Sequence, residues 1–254
     1  MTNRIIKVFG KSISIDAVVH LWDDALGFDA YDRTKFVHTE ENRKTGKIQK
    51  RVVKGRRYSW RKRKPDKIKS IVIHHTGGLR ADTAFNTLHR ERGLSVHFIV
   101  DDKGRIYQTL DLDCITWHAG KANATSVGIE ACLYPDAFKR PNMYSPERCR
   151  RFGVMPHDID YQIINGSKRR VFLMPDIQVR SIAKLCAAIW QGLERADSPE
   201  FPTDIGCTYY PLWREHEGLL LHSHITPRKW DAVGFDLARL RALVKNHFWG
   251  SMPF

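Results

Sequence analysis

Hydrophobic positions along the chain fall into short β-branched runs separated by helical spacings. Residues 4–9 alternate loosely and read as a strand, and residues 12–26 mix Ile13, Ile15, Val18, Val19, Leu21 and Trp22 with acids in a way that predicts a short helix. Ile71-Val72-Ile73 predicts a buried strand, ended by Thr76-Gly77-Gly78. Ala84, Phe85 and Leu88 keep helical spacing within 81–92. Val96–Val100 and Arg105–Leu110 flank the turn Asp101-Asp102-Lys103-Gly104, a hairpin signal. Another strand is expected at 127–133. Residues 134–172 have weak period and read as an inserted excursion with a short hairpin around Asn165-Gly166. Pro175–Arg195 carries the clearest helical pattern, Leu219–Leu221 a short strand, and Phe235–His247 a final helix. Strands and helices alternate without strict regularity, so the expected fold class is α/β (mixed α+β), a central mixed β-sheet flanked by helices.

Charge changes this picture only locally. The chain of 254 residues carries a net charge of +14. Between Arg43 and Lys69 stand 14 Lys and Arg against one acid, Asp66, so nearly all the excess lies in one stretch. Three readings of that stretch stay open: a solvated linker, an attachment to anionic cell-wall polymer or membrane surface, or a nucleic-acid contact using Tyr58 and Trp60. No nucleic-acid motif accompanies it, which makes the last the least favoured. The boundary near Pro65 divides a 1–67 extension from a 68–254 domain. Five cysteines without a CxxC pair weigh against a disulfide scaffold and for free thiols. No apolar run approaches the ~18 residues of a membrane span. Met1–Gly10 lacks the apolar core of a secretory signal, so synthesis in the cytoplasm and delivery by lysis or dedicated export are expected.

The candidate chemistry lies where strands end. His74 and His75 close the 71–73 strand, His222 closes the 219–221 strand, and Asp231 follows nine residues later. Two histidines and a carboxylate from separate strand ends suit a catalytic zinc site with an open position. No Gly-rich phosphate loop or Gly-x-Ser-x-Gly appears, so nucleotide use and serine hydrolysis have no support.

Five segments occur in order: Ile73-His74-His75-Thr76, Ser95-Val96-His97-Phe98, Trp117-His118-Ala119-Gly120, Ser126-Val127-Gly128-Ile129-Glu130 and His222–Asp231. Together they resemble the zinc-dependent N-acetylmuramoyl-L-alanine amidase family, the amidase-2 group, which also includes peptidoglycan recognition proteins and phage lysozyme-type amidases. The resemblance runs from Ile68 to Leu243 and is poor across 134–172. It implies one zinc ion held by His74, His222 and Asp231, with Glu130 and Lys229 as catalytic residues. It also implies a cleft shaped by Trp117 and His118, with Asn123 and Arg228 as weaker substrate contacts. His97 is read equally as a cleft residue or a core histidine. Departures are a His222–Asp231 loop one residue short, His224 where an acid is usual, and Val96 where some members have tyrosine. The expected activity is bacteriolytic hydrolysis of the amide between N-acetylmuramic acid and L-alanine in peptidoglycan or muropeptide, as in an endolysin. The alternative is a non-catalytic peptidoglycan-binding module.

Overall fold

The computed structural model describes residues 3–31, 37–41, 45–46, 48–52 and 61–250, with backbone alone for 37–41 and 48–52. Its centre is a seven-stranded sheet. In chain order the strands are β1 (Asn3–Val8), β2 (Lys11–His20), β5 (Ser70–His75), β6 (Phe98–Val100), β7 (Ile106–Gln108), β8 (Ser126–Ala131) and β11 (Gly218–Leu221); the first two precede a separate hairpin, β3 (Val37–Glu41) and β4 (Ile48–Val52). Across the sheet the order is β1-β2-β7-β6-β8-β5-β11. β8 pairs in parallel with both β5 and β6, β5 with β11, and β2 with β7, while β1–β2 and β6–β7 are antiparallel. The mixed sheet flanked by helices is therefore the architecture expected from the pattern of apolar runs.

The three adjacent parallel strands at one side of the sheet are buried on both faces, β8 and β11 at every residue and β5 at all but His75. A parallel sheet needs that cover, because its crossovers place helices on its faces. After β5 comes the first helix, α1 (Ala81–Phe85); elsewhere the sheet is covered by α3 (Asp176–Gly192), which buries Val179, Ile182, Leu185, Cys186 and Ile189 and packs on β2 and on α5 (Leu237–Gly250). Approach is close: a Cβ at Gly192 would stand 2.9 Å from side-chain carbons of both Val8 and Ile13.

Two expectations need correction. Residues 12–26 were expected to include a helix, yet Lys11–His20 is a strand. The apolar positions that decide it are Ile13, Ile15, Ala17 and Val19, which alternate with period two and pack on the core. The residues before 68 are also no detached extension. β1 and β2 are hydrogen-bonded members of the same sheet, and Arg63 is buried in the domain at 7% exposure. Of the basic stretch, 42–44, 47 and 53–60, including Tyr58 and Trp60, lie outside the described residues. Within its described end, Lys62 pairs with Asp113 at 2.5 Å.

The excursion holds a short helix that periodicity missed, α2 (Pro146–Phe152). Its signals are local: Ser145 caps it by accepting from Arg148 N, Pro146 opens it, and left-handed Gly153 (φ 65°) ends it. The hairpin β9 (Ile159–Ile164) and β10 (Ser167–Phe172) turns at Asn165-Gly166, both at positive φ (47° and 77°) as a two-residue hairpin loop requires. All five cysteines are free thiols. Among the described residues no helix is long and apolar enough to cross a membrane.

One buried group makes stability depend on pH. His157 stacks on Tyr144 with ring centroids 3.7 Å apart, donates from Nδ1 to Leu173 O at 2.7 Å, and leaves Nε2 without a partner. Burial lowers its pKa to about 4, against a weaker opposing effect of the Leu173 carbonyl. The folded chain thus binds this proton more weakly than the unfolded chain, whose histidine titrates near ~6.5. The stabilisation is full above ~6.5 and is lost as pH falls toward 4, by at most about 3 kcal/mol. Thermal melts between pH 7 and 4 should show a falling midpoint. His157→Asn, which keeps the Nδ1-type donor without the titration, should flatten that slope; an unchanged slope would contradict the assignment.

Candidate active site

Register across the central strands assembles the site. His74 on β5 is the pairing partner of Glu130 on β8, and Ile73 is the partner of Leu221 on β11. His222, the next residue after β11, therefore arrives level with His74. Three chemistry-bearing side chains stand in one row at the carboxyl ends of three adjacent parallel strands. The chain then turns through α4 (His222–Ile225) and returns to bring Asp231 alongside, with Ser223 N donating to Asp231 O at 2.6 Å.

His224 secures this loop. Its Nδ1 accepts from Leu221 N at 3.1 Å and its Nε2 donates to Gly206 O at 2.6 Å. Accepting the backbone N–H ahead of the turn is what an acid does in a capping box. The histidine found where an acid is usual thus makes the same bond, which explains how the loop tolerates the change.

His74 Nδ1, His222 Nδ1 and Asp231 Oδ2 form a nearly equilateral triangle with sides of 3.0, 3.1 and 3.0 Å. All three residues are buried, and together they are a group able to hold a metal ion. Two imidazole nitrogens and a carboxylate oxygen this close together are a donor set that could hold a cation between them. A tetrahedral zinc ion ~2.0–2.1 Å from each donor would space the donors about 3.3 Å apart, and N₂O donors suit it. The residues fit zinc. Their protonation states agree. Burial, and His222 beside it, lower the His74 pKa to about 4. Burial alone would raise Asp231, but hydrogen bonds from His222 and His74 outweigh it and hold the carboxyl well below its ordinary range. Neutral histidine and ionised aspartate are the ligating forms.

Behind the triangle runs a hydrogen-bond chain whose direction is determined. With Nδ1 of His74 turned to the metal corner, its Nε2 carries the proton and donates to His118 Nδ1 at 2.9 Å. His118 Nε2 then donates to Ser126 Oγ at 3.2 Å, and Ser126 donates to Ala122 O at 2.7 Å. Asn123 holds the loop by accepting from His118 N and Ala119 N at 3.0 and 2.7 Å. Gly128 leaves the room: a Cβ there would stand 2.7 Å from the His118 ring.

The other expected residues fall into two groups. Trp117 (39% exposed), Arg228 and Lys229 are exposed. Lys229 is close enough for its charge to oppose protonation of both His74 and Glu130. His97 and Asn123 are buried in hydrogen bonds to the protein itself. His97 is fully buried, with Nδ1 accepting from Gly128 N at 3.1 Å and Nε2 set 2.9 Å from Cys114 O. Arg63, which sequence reasoning left in a charged run, lies against His97 at 3.0 Å and donates to Leu112 O and Ser126 O at 2.9 and 2.7 Å. Burial lowers the Arg63 pKa to about 10. Nothing in the local pattern distinguishes it from its basic neighbours.

Glu130 is perturbed in the direction opposite to Asp231. It is 8% exposed and its Oε2 is buried without a hydrogen-bond partner. Burial and the Asp231 charge raise its pKa to about 8, against opposing effects of Lys229 and Arg92. A buried carboxyl with an unpartnered oxygen, level with the His74–His222–Asp231 triangle, is equipped to exchange a proton with a neighbouring group.

The sequence profile of the family described as N-acetylmuramoyl-L-alanine amidase (Amidase_2) matches residues 64–232, more than half of the chain, and this protein belongs to that family. Similar solved structures include the N-acetylmuramyl-L-alanine amidase AmiD from E. coli, with 21% identity and a TM-score of 0.45 over 70% of this chain and 57% of that one. The amidase LysC from Clostridium intestinale URNW has 16% identity and a TM-score of 0.42 over 73% and 91%. The hydrolase AmiA from Staphylococcus aureus has 15% and 0.44 over 71% and 73%. No curated protein sequence matches the chain.

The hydrogen-bond chain behind His74 gives a direct test. Loss of an outer partner of a metal-bound histidine typically costs 10–100-fold in affinity. Ser126→Ala and His118→Phe should weaken zinc binding by about that range in a competition titration, with the larger effect for His118. Equal affinity in both variants would show that the chain does not orient His74.

Proposed function

We propose that this protein is a zinc-dependent peptidoglycan hydrolase that cleaves the amide between N-acetylmuramic acid and the L-alanine of the stem peptide. The observation that carries the reading is the His74–His222–Asp231 triangle with the unpartnered Glu130 carboxyl on the adjacent strand. Family membership supports the same bond as substrate. A zinc ion held by His74, His222 and Asp231 would supply a Lewis acid able to polarise the scissile carbonyl and to lower the pKa of a water molecule.

The chain's own residues do the rest. Glu130 takes the proton from the attacking water and returns it to the departing amide nitrogen. Such acid–base work is worth roughly 10²–10⁴-fold. A buried carboxyl with a raised pKa suits the second half of that cycle, because it holds the proton at neutral pH until the amine needs it. The Lys229 ammonium, two residues from Asp231, stabilises the charge that develops on the carbonyl oxygen. None of these steps needs a covalent enzyme intermediate, which agrees with the high pKa values that burial gives Cys132 and Cys186. Trp117, the exposed neighbour of His118 in the chain, would contact the sugar or peptide.

Metal analysis and release of stem peptide from purified sacculi test the proposal together. Zinc should be present at one per chain, and a chelator should abolish release. His222→Ala should lose metal and activity. Glu130→Gln should keep metal and lose about 10²–10⁴-fold in rate. Zinc-loaded protein that binds sacculi without releasing peptide would replace this reading with that of a recognition module.

For the active enzyme, kcat/KM should fall as pH drops, because protonated Glu130 cannot accept a proton. The acid limb should lie above the ordinary glutamate value of ~4.3. A limb at or below that value would remove Glu130 as the base.

A further inference from the structure

The excursion between β8 and α3 is the part of the domain that the family motifs leave unexplained. Its hairpin is fastened to the catalytic loop. Asn165, in the turn, donates from Nδ2 to Lys229 O at 3.0 Å and accepts from Tyr209 N at 2.9 Å. Ile164 and Val171 of the hairpin form a small buried cluster with Val233, and Trp230 packs on it. Residues on both sides of Asp231 are thereby tied to β9 and β10.

A cleft of about 410 Å³ opens at this junction, lined by Phe138, Tyr161, Lys168, Arg169, Arg170 and Trp230. Trp230 belongs to both regions. It precedes Asp231 in the chain, and its ring meets His75 edge-on at 5.3 Å. Two of the cations are held by aromatic rings, Lys168 Nζ 4.8 Å from the centre of Tyr161 and Arg169 Cζ 5.3 Å from that of Trp230. The one carboxylate in the wall, Asp136, accepts from Lys139 N at 2.8 Å. No ion pair to Lys168, Arg169 or Arg170 is formed among the described residues. Apolar surface is exposed beside them, with Phe138 84%, Tyr161 56% and Ile163 68% exposed.

We propose that this cleft is a substrate subsite for the carboxylate-bearing stem peptide beyond the scissile amide. The inference rests on the amidase reading above. A substrate whose amide lies at the donor triangle leaves the site along one of its walls. This wall offers three cations without anionic partners and flat ring surface, continuous with the loop that carries Lys229 and Asp231. A peptide with free carboxylates matches both features. A neutral glycan would use the rings and leave the cations uncompensated.

The test uses the full-length, zinc-loaded protein and two soluble ligands, a muramoyl-tripeptide with free carboxyl groups and the same compound with those groups amidated. Affinity is read by calorimetry and KM by product release. Amidation should weaken binding to the wild type about five- to tenfold, from two or three exposed charge pairs. Lys168→Gln combined with Arg170→Gln should weaken binding of the carboxylated ligand by a similar factor. That variant should no longer distinguish the two ligands. Both side chains are exposed, so folding is checked by the melting temperature alone. Arg169→Gln, which frees the Trp230 ring, should act in the same direction. Equal affinity of the wild type for both ligands, or an equal loss on both in the variants, would overturn the subsite. Preferential binding without product release would instead sink the amidase reading and leave the subsite standing. Cleavage of both ligands with one KM would do the reverse.

Discussion

The structure depends on the register of three parallel strands. Because His74 pairs with Glu130, and Leu221 with Ile73, the two histidines and the glutamate end at one level. A one-residue slip of β8 would turn Glu130 to the opposite face of the sheet and put Ile129 or Ala131 in its place. That register is held by burial on both faces of the strands, so the apolar runs that form the core also align these three side chains.

Around that row the protein spends hydrogen bonds on position. Three layers can be followed outward from the metal corner. His74 is oriented by His118, and His118 by Ser126 and the loop that Asn123 holds. His97 and Arg63 then brace the far side of the same loop and strand, joining Gly128, Cys114 and Ser126 through buried bonds. Each layer removes a degree of freedom from the one inside it, and each is buried enough for its bonds to be strong. Glu130 is the exception, since its free oxygen is directed at no protein group. Leaving a buried carboxyl unpartnered costs stability, and such a cost is commonly found where a group must exchange a proton during reaction.

The basic stretch takes on a different meaning in three dimensions. Taken as charge alone it marks an appendage. At its described end, Lys62 is engaged by Asp113 and Arg63 is a buried brace whose bonds reach the strand carrying Glu130. The cations that meet the cleft come from elsewhere, from β10, where three successive basic residues alternate about the edge of a hairpin. A count of charge along the chain ranks these two groups by density, whereas the fold ranks them by what stands opposite each one.

The linear pattern determined the central strands, the two long helices and the hairpin turn at Asn165-Gly166, since each rests on periodicity or turn chemistry contained in a few neighbouring residues. It also determined which histidines and acids end strands, and the ordered motifs tied them to a family. Tertiary structure alone decided the rest. Residues 11–20 became a strand because a free sheet edge and the α3 face were there to take the Ile13-Ile15-Ala17-Val19 side. His97 and Asn123 became internal supports, and Arg63 joined them, because burial is set by residues distant in the chain: Arg63 meets Ser126, His97 meets Gly128. The excursion lay beyond local reading for the same reason. Its significance comes from Asn165 meeting Lys229 across 64 residues of chain, a contact that no local periodicity encodes.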